Sequence, residues 1–260
     1  MQEQGEGLGY NAVERASWLE VTLKLIDSNC VFGRWPYEDR DVSIEKLLSV
    51  LEDLSIDKAL VVSLRGVFYD PEEGNAETLT TCRMHDKLEP VATLRPTKSF
   101  MGKEVELLSK KGFRMLRLFP DLQGWPMENV LLENLLGQCT EVGMPAAIPI
   151  CKNSGHATII GRLAPEGCRV LFSDVYYSTM GECAEVMKQR PEFMLEMGRT
   201  STPYSVEAMC SEVGSARLVL GTKQPLEYGL GAIEMVRAAD IAEQDKNAIL
   251  GISLSRWLGV

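Results

Sequence analysis

Short apolar runs recur along the chain, separated by stretches with helical spacing. Eight of them read as strands: Val21–Ile26, Lys58–Leu64, Pro90–Leu94, Arg114–Phe119, Pro145–Ile150, Cys168–Ser173, Phe193–Met197 and Arg217–Gly221. Each is nearly continuously apolar rather than alternating, the pattern of a parallel sheet covered on both faces. Between them, Ile44, Leu47, Leu48 and Leu51 fall at i, i+3, i+4, i+7, and Val130, Leu131, Asn134, Leu135 and Cys139 form a similar, less regular stripe. Gly112, Gly143 and Gly214 each stand between a helical run and a strand, where a helix C′ residue needs φ > 0. Thr202-Pro203 predicts an N-cap followed by proline at the first helical position. The chain closes in two helical stretches, Gly231–Ala239 and Glu243–Leu258.

Eight strand–helix alternations predict a single closed (β/α)₈ barrel, an α/β fold, spanning 21–260 after an N-terminal tail over 1–20. The rival, an open dinucleotide-binding sheet, requires G-x-G-x-x-G after its first strand. Here Asp27-Ser28-Asn29-Cys30-Val31-Phe32-Gly33 follows, read as an exit loop that cannot cradle a pyrophosphate.

Composition narrows the function classes. The 260 residues carry a formal net charge of −10, which repels nucleic acid and anionic lipid, so neither is an expected partner. Cys30, Cys82, Cys139, Cys151, Cys168, Cys183 and Cys210 are scattered without a Cys-x-x-Cys pair, which fits free thiols in a reducing cytoplasm. The opening MQEQGEGLGY has neither the charged start nor the apolar core of a signal peptide.

Five segments in order resemble the amidohydrolase-related family of TIM-barrel, metal-dependent hydrolases and decarboxylases. Leu25-Ile26-Asp27-Ser28-Asn29-Cys30-Val31-Phe32-Gly33 is similar to its "I-D-x-H-x-H-x-G" opening, and Gly112–Pro120 to its "GFRGLKLHP" fourth strand. Gly143–Pro149 resembles "GLPVLIH", Arg217–Pro225 resembles "RLLFGTDYP", and the tail from Ala239 to Gly259 resembles the closing "dkekILggNaaRLLGl". The resemblance runs from about Lys24 onward and implies the barrel and small-molecule chemistry at its mouth. It also implies a metal centre that this chain cannot copy. The positions matching the family's ligands are Asn29, Val31, Pro149, Asp174 and Lys223, and the chain has only two histidines, His85 and His156. Valine and proline offer no side-chain donor, a neutral amide is a weak ligand, and an ammonium repels a dication. Neither a metal nor another cofactor is expected.

Functional groups of such barrels sit at the C-terminal ends of strands. Those ends carry Asp27 and Asn29, Arg65, Arg95, Arg117 with Asp121, His156, Asp174, Glu196 with Arg199, and Lys223. Arg117, Arg65, Arg95 and Arg199, with His156, are the candidate substrate-binding residues, because guanidinium forks pair well with carboxylate or phosphate. Arg117 leads, since a charge inside a strand must find a partner or line a cavity. Asp174, Lys223 and Asn29 are the candidate catalytic residues. Two readings of Asp174 and Lys223 stand: a general base beside an electrophilic or imine-forming amine, or a salt bridge filling the place of a metal. His85 reads as surface and Cys30 as a small buried apolar residue. The expected function is a metal-independent hydrolase or lyase acting on a small anionic substrate. The alternative is a non-catalytic relative that binds a small anion or a protein partner, and a homo-oligomer is left open. Elemental analysis of the purified protein should find no stoichiometric transition metal, and zinc should not specifically raise its melting temperature. About one tightly held metal per chain at the barrel mouth would overturn the residue-by-residue argument.

Overall fold

The computed structural model describes residues 25–96 and 102–259. Eight parallel strands follow one another around a single sheet in sequence order: β1 (Ile26–Phe32), β2 (Lys58–Ser63), β3 (Leu88–Ala92), β4 (Met115–Arg117), β5 (Ala146–Cys151), β6 (Val170–Val175), β7 (Met194–Glu196) and β8 (Leu218–Val219). The ring closes because Ser28 N–H donates to Leu220 O at 3.0 Å and Val31 N–H to Gln224 O at 2.9 Å. The protein is a (β/α)₈ barrel.

Helices fill the connections: α1 (Ile44–Asp53), α2 (Leu64–Phe68), α3 (Pro71–Met84), α4 (Glu104–Lys110), α5 (Pro120–Gln123), α6 (Val130–Val142), α7 (His156–Leu163), α8 (Met180–Gln189), α9 (Ser205–Val213), α10 (Gly229–Ala238), α11 (Glu243–Asn247) and α12 (Ser253–Leu258). Alternate strand positions divide the core. Leu60, Val62, Val91, Met115, Leu171 and Val219 pack together inside the barrel. Their neighbours Ala59, Val61, Leu116, Phe172 and Leu195 pack outward under the helices. Leu254 of α12 joins the inner cluster, and Trp257 lies 4.8 Å from the guanidinium of Arg169, just before β6. That helix covers the N-terminal end of the barrel and leaves the opposite end for chemistry. Among the described residues, no helix is long and apolar enough to cross a membrane.

The sequence pattern located seven of the eight strands while misjudging several edges, and its first strand, Val21–Ile26, shares only Ile26 with β1. Val21–Lys24 and the tail assigned to 1–20 lie outside the described residues. Within them, the stretch from Asp27 to Phe32 is strand rather than exit loop, and every residue of it is buried. A polar run looks like a loop when only local pattern is read, yet Asp27 and Asn29 have side-chain partners far away in sequence, at Thr222 and Glu196. β8 is two residues long because Leu220 N–H donates to Ile249 O, at 2.9 Å, in a π-helical turn over Ala248–Ile252. α9 starts after Tyr204, which sits in the left-handed region, and not at Thr202-Pro203. α6 buries Leu132, Leu135, Leu136 and Cys139 while Val130 is exposed, a rotation of the expected stripe. Gly112, Gly143 and Gly214 do take positive φ, at 94°, 67° and 83°.

α2 and α3 approach so closely that a Cβ on Gly74 would lie 2.0 Å from Gly66 N, whereas one on Gly137 of α6 would meet nothing within 4 Å. Gly74→Ala should therefore cost about 1–3 kcal/mol or more, and Gly137→Ala should stabilise by about 0.5–1 kcal/mol. Urea unfolding measures both, and a Gly74→Ala protein as stable as wild type would contradict the close packing.

Candidate active site

The C-terminal ends of β4, β6, β7 and β8 gather three cationic side chains around one carboxylate. Asp174, at the end of β6, accepts from Lys223 Nζ at 2.9 Å. Arg117 Nη2 of β4 approaches its other oxygen at 3.4 Å, and Arg199 Nη1, beyond β7, lies 3.5 Å away. Exposure grades outward: the side chains of Arg117 and Asp174 are 2% and 6% exposed, those of Arg199 and Lys223 19% and 23%. Burial pushes the Asp174 carboxyl upward, but Lys223, Arg117 and Arg199 together hold it below the ordinary aspartate value. Arg199 also donates to Glu227 and to the Tyr176 hydroxyl, and its guanidinium stacks over the Tyr176 ring at 4.7 Å.

Arg117, Asp174 and Lys223 face a cavity of about 220 Å³ walled by Val31, Trp35, Leu64, Phe119, Leu122 and Leu226, with Arg199 outside its lining. Its polar lining is Arg117, Asp121, Asp174 and Lys223. Arg117 stands out. Its guanidinium lies 4.9 Å from the Phe119 ring, its contact with Asp174 is long, and its Nε has no hydrogen-bond partner among the described residues. A buried donor left open costs about 1–3 kcal/mol, so a site that keeps one is shaped for something else to accept from it.

The backbone is strained at the same place. Cys151, Asp174 and Lys223 have φ of 52°, 50° and 59°, and all three line the cavity. Left-handed backbone at a non-glycine residue costs of order 1–3 kcal/mol, and here it recurs at the ends of β5 and β6 and beyond β8, on three residues that line one cavity. The Cys151 thiol is pushed up to about 11, chiefly by burial, which makes it a poor nucleophile at neutral pH.

Beneath the cavity a second polar layer crosses the barrel. The Asn29 amide donates Nδ2–H to both oxygens of Glu196, at 3.0 and 2.9 Å, and Glu196 is fully buried. Burial and the neighbouring Asp174 push the Glu196 carboxyl up to about 8 against the opposing pull of Arg117 and Asn29. Asp27 accepts from the Thr222 hydroxyl and, at 3.0 Å, from Thr222 N–H, tying β1 to the segment after β8.

Of the residues singled out in sequence, the structure brings Arg117, Arg199, Asp174 and Lys223 together, with Asn29 one layer below. It does not bring Arg65, Arg95 or His156 to the cavity. Arg65 lies in α2, which starts at once after β2 and turns the side chain toward Glu73 and Glu77 of α3, at 2.7 and 3.8 Å. Arg95 donates to Val67 O at 3.3 Å and lines a separate groove of about 840 Å³ between α3 and α4. His156 is the first residue of α7, beside Glu182, which accepts from Gly155 and Thr158 N–H. Cys30 is buried and donates to Asp27. Sequence reasoning gave no role to Glu196, whose partner Asn29 is 167 positions away.

The donor set does not fit a divalent cation. Asp174 already has three cationic groups beside it, Asn29 turns its N–H toward Glu196, and Val31 and Pro149 carry no donor. No cluster of three or more His, Cys, Asp or Glu suited to a metal occurs among the described residues.

No family model and no curated protein matches this sequence. Solved structures do. A 5-carboxyvanillate decarboxylase from Sphingomonas paucimobilis aligns with a TM-score of 0.71 at 12% identity, over 92% of this chain and 100% of its own. A 2,6-dihydroxybenzoate decarboxylase from Rhizobium gives 0.66 at 13% identity, over 91% and 98%. An uncharacterized TIM-barrel protein from Bordetella bronchiseptica gives 0.70 at 14% identity, over 91% and 99%. The chain has the TIM-barrel fold. At these identities the likeness speaks for architecture and not for chemistry.

Asp174 serves three cations, while Arg199 also holds Glu227 and Tyr176 and Arg117 lies over Phe119, so the two ends of the network are unequal. Asp174→Asn should cost about 3–5 kcal/mol by leaving buried positive charge uncompensated. Lys223→Met, which leaves Asp174 with two guanidiniums, should cost about 1 kcal/mol or less, as suits a partly exposed partner. The lowered carboxyl stabilises the fold above the unfolded value near 3.8, and that contribution disappears as pH falls through the folded value. Wild type should therefore lose stability below pH 4 relative to Asp174→Asn. Denaturant melts across pH check both, and equal losses for the two variants at neutral pH would refute the shared-carboxylate picture.

Proposed function

We propose that this protein is a metal-independent lyase or hydrolase acting on a small carboxylate with an apolar body, held in the mouth of the barrel. The supporting observation is Arg117: an almost fully buried guanidinium, incompletely partnered, at the floor of an apolar-walled cavity. Guanidinium and carboxylate match as planar forks, and low-dielectric walls strengthen the pairing. At about 220 Å³ the cavity is smaller than the ~300–1,000 Å³ usual for drug-sized ligands, which limits the guest to a small metabolite.

In this reading Arg117 and Lys223 grip the substrate carboxylate, Arg199 secures the rim, and Asn29 with Glu196 forms the polar floor. Asp174 is a weak base because the cations hold it ionised, so it orients Lys223 and Arg117 rather than removing protons. The groups are better suited to stabilising negative charge that develops on the substrate than to activating water. That favours the lyase form, in which the bond to a carboxylate carbon breaks and a proton fills the vacated position. Two of the structural neighbours are decarboxylases of aromatic acids, which supports the same direction. A binding protein without turnover is the second reading, favoured by the completeness of the Lys223–Asp174 pair.

Thermal-shift screening against small mono- and dicarboxylates tests the proposal. A ligand at a hundredfold excess over its Kd should stabilise by about 2.7 kcal/mol, and Arg117→Ala should abolish the shift. Product detection by NMR on the carboxylates that shift separates enzyme from binder. No shift with any small anion, or equal shifts with Arg117→Ala, would overturn the site.

A further inference from the structure

We propose that Glu196 is the proton store of this site: a carboxyl group kept as the neutral acid beneath Asp174, so that an anion entering the cationic cavity above binds together with a proton. The second half rests on the proposed anion site; the first does not.

The geometry around Glu196 is built for an uncharged acid. The side chain is fully buried inside the barrel, where an ion is tolerated only with strong compensation. Its one hydrogen-bonding side chain is the neutral amide of Asn29, whose N–H meets both oxygens and pulls toward the ionised form but brings no positive charge to balance it. Arg117, Arg199 and Lys223 all converge on Asp174, and no ion pair to Glu196 occurs among the described residues. The charged groups that face Glu196 are Asp174 from β6, Asp27 from β1 and Arg117 from β4, two carboxylates against one guanidinium. From β8 only bare backbone meets it. A Cβ on Gly221 would lie 2.3 Å from Glu196 Cδ, and one on Gly198 would lie 1.6 Å from Gly221 O. Two glycines thus make the space the carboxyl occupies, and a charged or solvated carboxylate would gain nothing from so tight a dry cradle.

No serine hydroxyl supports a carboxylate here: Ser28 Oγ and Ser173 Oγ are buried without hydrogen-bond partners among the described residues. Ser173 and Glu196 follow Phe172 and Leu195, which are paired between β6 and β7, so they are neighbours across the sheet. Asp174 and Glu196 form a pair of carboxyls pushed in opposite directions, the low one by cations and the high one by burial. An anion that engages Arg117 and Lys223 adds negative charge above Glu196 and strengthens its hold on the proton. No bond beyond the O–H is involved, and the proton comes from solvent.

Two measurements test this. Without any ligand, Glu196 holds its proton more tightly in the folded chain, so its stabilisation is complete below the unfolded value near 4.5 and is lost as pH rises toward about 8. Wild type should therefore lose stability relative to Glu196→Gln between pH 5 and 8 and level off above. Parallel curves for the two proteins would overturn the proton store. If Glu196→Gln fails to fold, carboxyl ¹³C NMR of wild type reads the same group, and the absence of any glutamate titrating well above the surface ones would overturn it equally. With benzoate as the probe, calorimetry at pH 8.5 in buffers of different ionisation enthalpy should show uptake of about half a proton or more per anion, and none in Glu196→Gln. Benzoate binding without proton uptake would refute the coupling while leaving the anion site standing. Failure of benzoate and of every other carboxylate to bind would remove the anion site, and with it the coupling, while the ligand-free curves still decide the store.

Discussion

The arrangement at the barrel mouth depends on one carboxylate. Asp174 is shared among Lys223, Arg117 and Arg199, which arrive from three other strand ends. Without it, two guanidiniums and an ammonium would face one another within a few ångströms in an apolar enclosure, where like charges repel far more strongly than in water. With it, the three cations are held together, and Arg117 Nε remains without a hydrogen-bond partner among the described residues. The strained backbone at Cys151, Asp174 and Lys223 belongs to the same balance. Left-handed φ at three non-glycine residues is tolerated because ion pairing and packing over-determine those positions.

The cavity gathers cationic side chains, Arg117 and Lys223 with Arg199 close by, in a chain of net charge −10. Much of that positive charge is neutralised inside the site, by Asp174 and by Glu227 on Arg199, and Asp121 adds a further carboxylate at the lining. What distinguishes the site is therefore unsatisfied hydrogen-bonding capacity on a cation, not a large surplus of charge. Arg117 Nε is the clearest case. Long-range attraction of anions to such a protein would be weak, and affinity would come from contacts made after entry.

How much of this was legible in the sequence follows from the range of the interactions. The strands were visible because a parallel barrel buries both faces and leaves continuous apolar runs. Arg117 was visible because a charge between Met115 and Phe119 breaks that rule and demands a reason. Asp27, Ser28 and Asn29 broke it too, and were read as loop, since nothing nearby in sequence supplies their partners. Those partners are Thr222 and Glu196, brought close only when the ring closes. Arg65 and Arg95 stood at the right strand ends, but the short helix α2 begins at Leu64 and redirects the chain before Arg65 can face the axis. A strand-end position fixes where the backbone emerges; the first residues of the connection decide where the side chain goes. That second step is not written in hydrophobic periodicity.

The chemistry open to this site follows from what fixed cations can and cannot do in place of a metal. A divalent ion lowers the pKa of a bound water toward neutrality and supplies hydroxide as a nucleophile. Guanidinium and ammonium groups bind oxygen anions well but do not ionise water, and Asp174, held ionised by three cations, is too weak a base to make up the difference. The same groups are effective where negative charge grows on the substrate itself, because their positions are set before the reaction and need no reorganisation. Breaking a bond to carboxylate carbon creates such charge and then requires one proton, delivered where bulk water is excluded by Trp35, Phe119 and the aliphatic wall. In the proposed function, the cations and the buried Glu196 beneath them supply the two components that this class of reaction needs, and hydroxide-forming chemistry is not among them. Hydrolysis, which needs the missing one, is the harder reaction for these residues to support.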